Sequence, residues 1–381
     1  MPRILGLGAV FQDTVLTAPT LAVDGKVQAT HRDVRLGGNI LNTFAVLADA
    51  PPLPGSPSRL QLEFCGAVGS RESCLCAPPP PPRAGTPALT GRHRYAAKEL
   101  ETHGVTPRLV YRPAVHGLAN AYVLCAQDRG SRTIISHLNG IAEPSAEELG
   151  CLLLPAATAA ASPPVAAAAA EWIHVEGRNC ESVVRFLRRM PDSGGGGAYG
   201  ATRVSVDLEK SCRPGIDELA RLADVLFVSS AFCRDLVGDH DLHLGAGGDK
   251  QAYAAKVLAA LEGWIKPGAS GHLLLGAAGS VCFFWRGSGG GGGGDGGGGG
   301  GDGSGGGGLE VVDCTAAAPG IPPAELVETV GAGDTFIAGV IWASLAGMSP
   351  PAANRLATEL ARKKCRQSGF GGLWGDSSDA V

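Results

Sequence analysis

Three residues without a bulky side chain, Gly331, Ala332 and Gly333, stand directly before a carboxylate, Asp334, in "VETVGAGDTFIAGV" (327–340). The apolar run that follows reads as a helix, and a helix N-terminus presents unpaired N–H groups and about half a positive charge. Small residues let a phosphate reach those N–H groups, so the stretch reads as a phosphate cradle with an acid beside it. During phosphoryl transfer such a cradle stabilises the charge on the equatorial oxygens. Asp334 is then placed to accept the proton of an attacking hydroxyl. Taken alone, the same residues would also suit a glycine turn with Asp334 as a helix cap.

A second stretch, "LGGNILN" (36–42), puts Gly37 and Gly38 before two amides, Asn39 and Asn42. Spaced three apart, the amides share one face of a first helical turn. They both donate and accept hydrogen bonds, which suits the vicinal hydroxyls of a sugar. Asn39 as a plain helix cap is the alternative. Asp13, after a predicted strand at 3–10, is a further candidate for a hydroxyl pair, or else a turn residue.

These residues need a scaffold. Strand-like runs at 3–10, 62–69, 171–177, 202–209, 224–230 and 270–279 alternate with helix-like ones at 39–48, 94–104, 334–347 and 352–365. That alternation predicts an α/β fold with a mostly parallel sheet covered on both faces. Residues 12–36 and 109–136 break the rhythm with Thr, Val and Tyr in alternating polarity, and read as a small antiparallel lid over the carboxyl ends of the strands. Four stretches, at about 76–90, 155–170, 193–200 and 287–308, are rich in Pro, Ala or Gly and read as insertions into one domain spanning 1–381. The last of them cannot bury enough apolar area to offset backbone ordering.

Composition excludes other classes. A net charge of −4 without a dense Lys/Arg run argues against nucleic-acid and anionic-membrane partners. The 11 cysteines show no zinc-type CxxC pair, which predicts reduced thiols. The uncharged stretch at 151–170 is Ala-rich and broken by proline, so no membrane span is expected. The first residues, "MPRILGLGAVFQDTV", lack the order of a secretory signal, and we expect a cytoplasmic protein.

"GGNILN" together with "ETVGAGDTF" resembles the signature pair of the ribokinase-like (PfkB) sugar kinases. "EWIHVEGRN" (171–179), "VSVDLEK" (204–210), "LFVSS" (226–230), "GSRTII" (130–135) and "ARKKCRQSGFGG" (361–372) resemble its ketohexokinase branch. The resemblance implies a ribokinase-like three-layer α/β/α fold with a β lid that pairs two subunits as a homodimer. It implies transfer of the γ-phosphate of ATP, with Mg²⁺, to the 1-hydroxyl of a ketohexose, and it admits a K⁺ near the anion hole. By position, Asp334 becomes the base and Gly331, Ala332 and Gly333 the anion hole, with Arg132 near the transferring phosphate. Asp13, Gly38, Asn39, Asn42 and Lys210 fall at the sugar, and Gly276, Gly279, Cys365 and Gly369 at the nucleotide.

The chain departs from the branch at several points. Ser131 stands where the branch carries a sugar-contacting asparagine, which leaves open ribose, the fructose 6-hydroxyl or a nucleoside as acceptor. The nucleotide loop "LLLGAAGSVCFF" (273–284) is short and lacks acidic residues, which also leaves open a catalytically silent binding protein. The family's usual Asp-Thr is here Glu328-Thr329, a change of one methylene.

Overall fold

The computed structural model describes residues 1–21, 25–70, 96–128, 131–153, 170–190, 202–239, 249–286, 308–314, 321–322 and 325–375. The insertions expected at 76–90, 155–170, 193–200 and 287–308 lie outside them, save Ala170 and Gly308.

The chain begins with β1 (Arg3–Leu7), β2 (Phe11–Ala18), β3 (His31–Gly37), α1 (Asn39–Ala48) and β4 (Gln61–Val68). It continues through α2 (Ala96–Thr102), β5 (Val105–Tyr111), β6 (Ala119–Ala126), β7 (Ser131–His137) and α3 (Ala146–Leu153). Next come β8 (Trp172–Glu176), α4 (Cys180–Leu187), β9 (Arg203–Leu208), α5 (Ile216–Ala220), β10 (Val225–Ser229) and α6 (Ser230–Val237). The last elements are α7 (Lys250–Leu261), β11 (Ser270–Leu274), β12 (Ser280–Arg286), β13 (Gly308–Cys314), α8 (Ala332–Leu345) and α9 (Pro350–Cys365).

The main sheet has the order β13-β12-β11-β10-β9-β8-β1-β4-β5. From β5 to β11 the pairs are parallel, and β12 and β13 close one edge antiparallel. Strands buried on both faces carry apolar side chains in alternation. On β10, Leu226 and Val228 enter one core while Val225 and Phe227 enter the other. The first core is closed by helices such as α4 and α7, the second by α1, α8 and α9. Three layers result, as the sequence predicts. Helix α8 is apolar on every side because it packs against both α1 and α9. On α9, Asn354 meets His272 of β11 (2.9 Å) and Ser280 of β12 (3.1 Å), which fixes the helix against the sheet.

A second sheet, ordered β3-β2-β6-β7, forms the lid. Its outer pairings are antiparallel, whereas the central β2–β6 pair is parallel. The lid is thus narrower than the expected 109–136, since residues 109–111 belong to β5 and pair with β4 in the main sheet. The chain leaves β1 for β4 on one side and β8 lies on the other. Such a switch point leaves a crevice at the carboxyl ends of the strands, where ligands of open α/β sheets bind.

Candidate active site

Helix α8 starts at that crevice. Its N-cap is Gly331, in the left-handed region at φ 78°, and no side chain caps it. Glycine is required twice over, because a Cβ at that position would come within 2.4 Å of the Phe370 ring. Asp334 lies inside the first turn and is not the cap. Its Oδ2 accepts a hydrogen bond from Asn42 Nδ2 (2.7 Å), and its carbonyl accepts one from Thr43 Oγ1 (3.3 Å). Burial, with the charges of Glu209 and Glu176, raises the Asp334 carboxyl to about 7, against the bond from Asn42 and the charge of Arg132.

Helix α1 likewise starts on a glycine. Gly38 is its N-cap without a side-chain bond, so Asn39 is not a cap. Asn39 Nδ2 donates to Asp207 Oδ2 at the end of β9 (3.2 Å), and Asn42 turns to Asp334. Asp207 is buried and held well above the usual carboxylate range by burial and by Glu209, Asp334 and Glu176. Glu176, at the end of β8, accepts from the amide of Ala9 (3.0 Å) and is also raised by burial. The charges of Glu176, Glu209 and Asp334 thus bear on Asp207 at this end of the sheet.

Asp13 sits within β2, buried and opposite Arg35 of β3, rather than in a turn. Glycine at position 37 leaves it room, since a Cβ there would stand 2.0 Å from Asp13 Oδ2. Burial raises the Asp13 carboxyl to about 6 against the charge of Arg35. Arg132, exposed on β7, donates to Thr329 Oγ1 (3.2 Å) and so reaches the turn before α8. Lys210 is exposed just past β9. Gly276 and Gly279, both with positive φ, flank the turn between β11 and β12. Leu274, before that turn, lies 3.8 Å from where a Cβ of Gly333 would stand.

One cluster, built by Arg35, Glu328, Lys364 and Phe370, lies outside the expected site residues apart from Cys365 and Gly369 at its rim. Glu328 Oε1 accepts from Arg35 Nη2 (2.6 Å), and Oε2 accepts from Lys364 Nζ (2.7 Å) and the Gly369 amide (3.2 Å). Lys364 is fully buried and also donates to the carbonyl of Gln367 (3.4 Å). Both cations lie over the Phe370 ring, Lys364 Nζ at 5.3 Å and Arg35 Cζ at 5.9 Å from its centroid. Burial pushes the Glu328 carboxyl up, but Lys364 and Arg35 outweigh it and hold it below its ordinary value. Burial also pulls the Lys364 ammonium down, with Glu328 opposing. The Cys365 carbonyl accepts from the amides of Val327 (2.8 Å) and Glu328 (3.2 Å), so Cys365 and Gly369 both fasten this segment. The extra methylene of Glu328 is what the sequence showed; Arg35 and Lys364 are too distant along the chain to be paired with it by spacing.

Among known families, residues 308–374 match the pfkB family carbohydrate kinase model. The chain is 29% identical over 245 residues to ketohexokinase of Mus musculus, a match spanning 64% of each protein. Ribokinase from Giardia lamblia superposes with a TM-score of 0.63 at 13% identity, covering 98% of this chain and 97% of that one. Ribokinase from Cryptococcus neoformans var. grubii serotype A, solved in complex with ADP, gives 0.58 at 17% identity, covering 98% and 96%. The matched C-terminal segment contains the glycine turn, Asp334, Lys364 and Phe370, and the whole fold is shared with ribokinases. The C-terminal segment is thus similar to the pfkB carbohydrate kinases, and the chain as a whole has the ribokinase fold.

Proposed function

We propose that this chain is an ATP-dependent sugar kinase that phosphorylates the 1-hydroxyl of a ketohexose, turning fructose into fructose 1-phosphate. One observation carries the reading: Asp334, raised to about 7, stands in the first turn of α8 beside Asn42. A base with a pKa near the working pH combines a useful ionised fraction with a good proton affinity. The first-turn amides of α8 have no partner within the helix, and although that of Ala332 donates to the Thr329 carbonyl (3.3 Å), Gly331, Ala332 and Gly333 would turn their N–H groups to the γ-phosphate. Asp13, Gly38, Asn39 and Asn42 hold the sugar, with Asp207 orienting Asn39. Arg132 reaches the turn before α8 and would face the transferring phosphate, and Lys210, exposed past β9, would reach toward the sugar.

The nucleotide lies across the β11–β12 turn, with Gly276 and Gly279 on one side and Cys365 and Gly369 on the other. Among the described residues no group of three or more His, Cys, Asp or Glu is arranged to hold a metal. A Mg²⁺ would then be held mainly by phosphate oxygens and water, as magnesium tends to be. The ion would neutralise phosphate charge. The lid excludes water from the phosphate and limits ATP hydrolysis.

The outward lid face carries Tyr122 (48% exposed) opposite Ile135 (57% exposed), an apolar row that supports a homodimer closed through the lid. The eight cysteines whose side chains are described are free thiols, which supports work in the cytoplasm. No helix among the described residues is long and apolar enough to cross a membrane.

Purified protein assayed for ADP release with fructose, ribose and adenosine tests the substrate. Fructose is expected to turn over fastest. Turnover on ribose or adenosine with none on fructose would instead favour the sibling reading that Ser131 keeps open. Calorimetry with ATP tests the kinase reading itself, since absence of nucleotide binding would leave a silent binding protein.

A further inference from the structure

The family resemblance admits a potassium ion beside the anion hole. A bound cation needs a shell of oxygen ligands, and the carboxylate that precedes the anion-hole turn is Glu328. Both of its oxygens are already taken: Arg35 and Lys364 each hold one, and the Gly369 amide shares the second. The carbonyl of Gln367, the next oxygen in the cluster, also faces Lys364 Nζ.

The Lys364 side chain is fully buried, and its ammonium is held by Glu328 and the Gln367 carbonyl. It lies over one face of the Phe370 ring, and that ring is in contact with Gly331, where even a Cβ would approach it to 2.4 Å. A positive charge is thus set one ring away from the turn whose amides would meet a phosphate. A charge fixed in a site that excludes water acts more strongly than the same charge in solvent. Arg35, on the same ring and the same carboxylate, links this cation to β3 of the lid and to Asp13 opposite it.

We propose that Lys364 is the built-in cation of the anion-hole turn, held by Glu328 and Gln367, so that this chain needs no bound potassium. The inference rests on the kinase reading above. Lys364 touches neither the sugar nor the phosphate; it is a positioning residue that acts through Phe370 and Gly331. Arg35 ties the same cluster to the lid.

Two measurements on the full-length protein test it. The first compares turnover in potassium and in tetramethylammonium buffers. The wild type is expected to agree within about twofold between them, whereas Lys364→Met keeps the apolar stem and loses about tenfold or more in kcat with a smaller change in sugar KM. Potassium should restore part of that loss, which a purely structural role for the lysine would not allow. The second titrates potassium chloride into the wild type by calorimetry, where no saturable binding is expected.

A severalfold rise of wild-type turnover with potassium, or saturable potassium binding by the wild type, would overturn the proposal. So would a folded Lys364→Met protein with unchanged kcat. If that variant does not fold, the two wild-type measurements still decide. If no sugar turns over in any buffer, the kinase reading fails, and the calorimetric titration alone judges the cation.

Discussion

Glu328 and Asp334 are six residues apart, and burial pushes both carboxyls toward the protonated form. Their surroundings then separate them. Glu328 has two cations against it and stays below its ordinary value of 4.5; Asp334 has one neutral amide and the charge of Arg132 against burial and nearby acids, and rises to about 7. The first is an anchor whose charge is matched, the second a carboxyl whose charge is left for a reaction. Opposed shifts in neighbouring acids are a physical signature of divided roles. The glycine turn sits between them, so one segment carries both a charge-matched anchor and the carboxyl proposed as the base.

The largest expected effect is on turnover. Asp334→Asn keeps shape and loses the base, so kcat should fall by about 10²–10⁴ while sugar and ATP affinities change little. Steady-state kinetics with calorimetric affinities checks it, and equal turnover in both proteins would remove Asp334 from the role. Glu328→Gln should act in the opposite register. It leaves Lys364 buried without a charge partner, and stability should drop by about 3 kcal/mol, read by urea unfolding. If instead Asp334→Asn were the destabilised variant and Glu328→Gln the silent one, the division of roles would be reversed.

The two variants should also show mirrored stability profiles against pH. For Asp334 the folded protein binds a proton more tightly than the unfolded chain does. That contribution is complete below 3.8 and is lost as pH rises toward about 7. Asp334→Asn should therefore gain on the wild type between those values and level off above, by at most about 4 kcal/mol at roughly 1.4 kcal/mol per unit. For Glu328 the folded pKa is depressed, so its contribution is present above 4.5 and disappears as pH falls through the lower folded value. The deficit of Glu328→Gln should shrink in acid accordingly. Thermal unfolding of the three proteins from about pH 2.5 to 8 tests both signs.

The Asp334 half of this comparison was legible in the sequence, and the Glu328 half was not. Gly331–Gly333, Asp334 and the Asn39/Asn42 pair stand out because the chemistry proposed for them depends on spacing within one turn, and that spacing is local. Helix α1 starts and ends where its apolar pattern predicts, at Asn39 and Ala48. Arg35, Glu328 and Lys364 come from three separate elements, so only the tertiary fold unites them. The lid was found from its alternating polarity, but its parallel β2–β6 pair was not, because alternation fixes which face is buried and says nothing of strand direction. Likewise Asp207 gave no local signal: it is one more acid in a strand until β9 brings it to Asn39.

The smallest effect sharpens the comparison most, because it removes one bond at Asp334 and keeps the carboxyl itself. Asn42 Nδ2 is the single hydrogen bond that lowers the Asp334 carboxyl against its burial. Removing it with Asn42→Ala should move the acid limb of kcat/KM, expected near pH 7 in the wild type, upward by about one unit. Activity at pH 6 would then fall more than activity at pH 8, because a larger share of Asp334 stays protonated in acid. Loss of the sugar contact by itself would lower kcat/KM equally at both pH values and leave the limb in place. A pH–rate profile from 5.5 to 9 separates these outcomes. An unmoved limb would mean that Asp334 owes its proton affinity to burial and neighbouring acids alone, with Asn42 serving only the sugar.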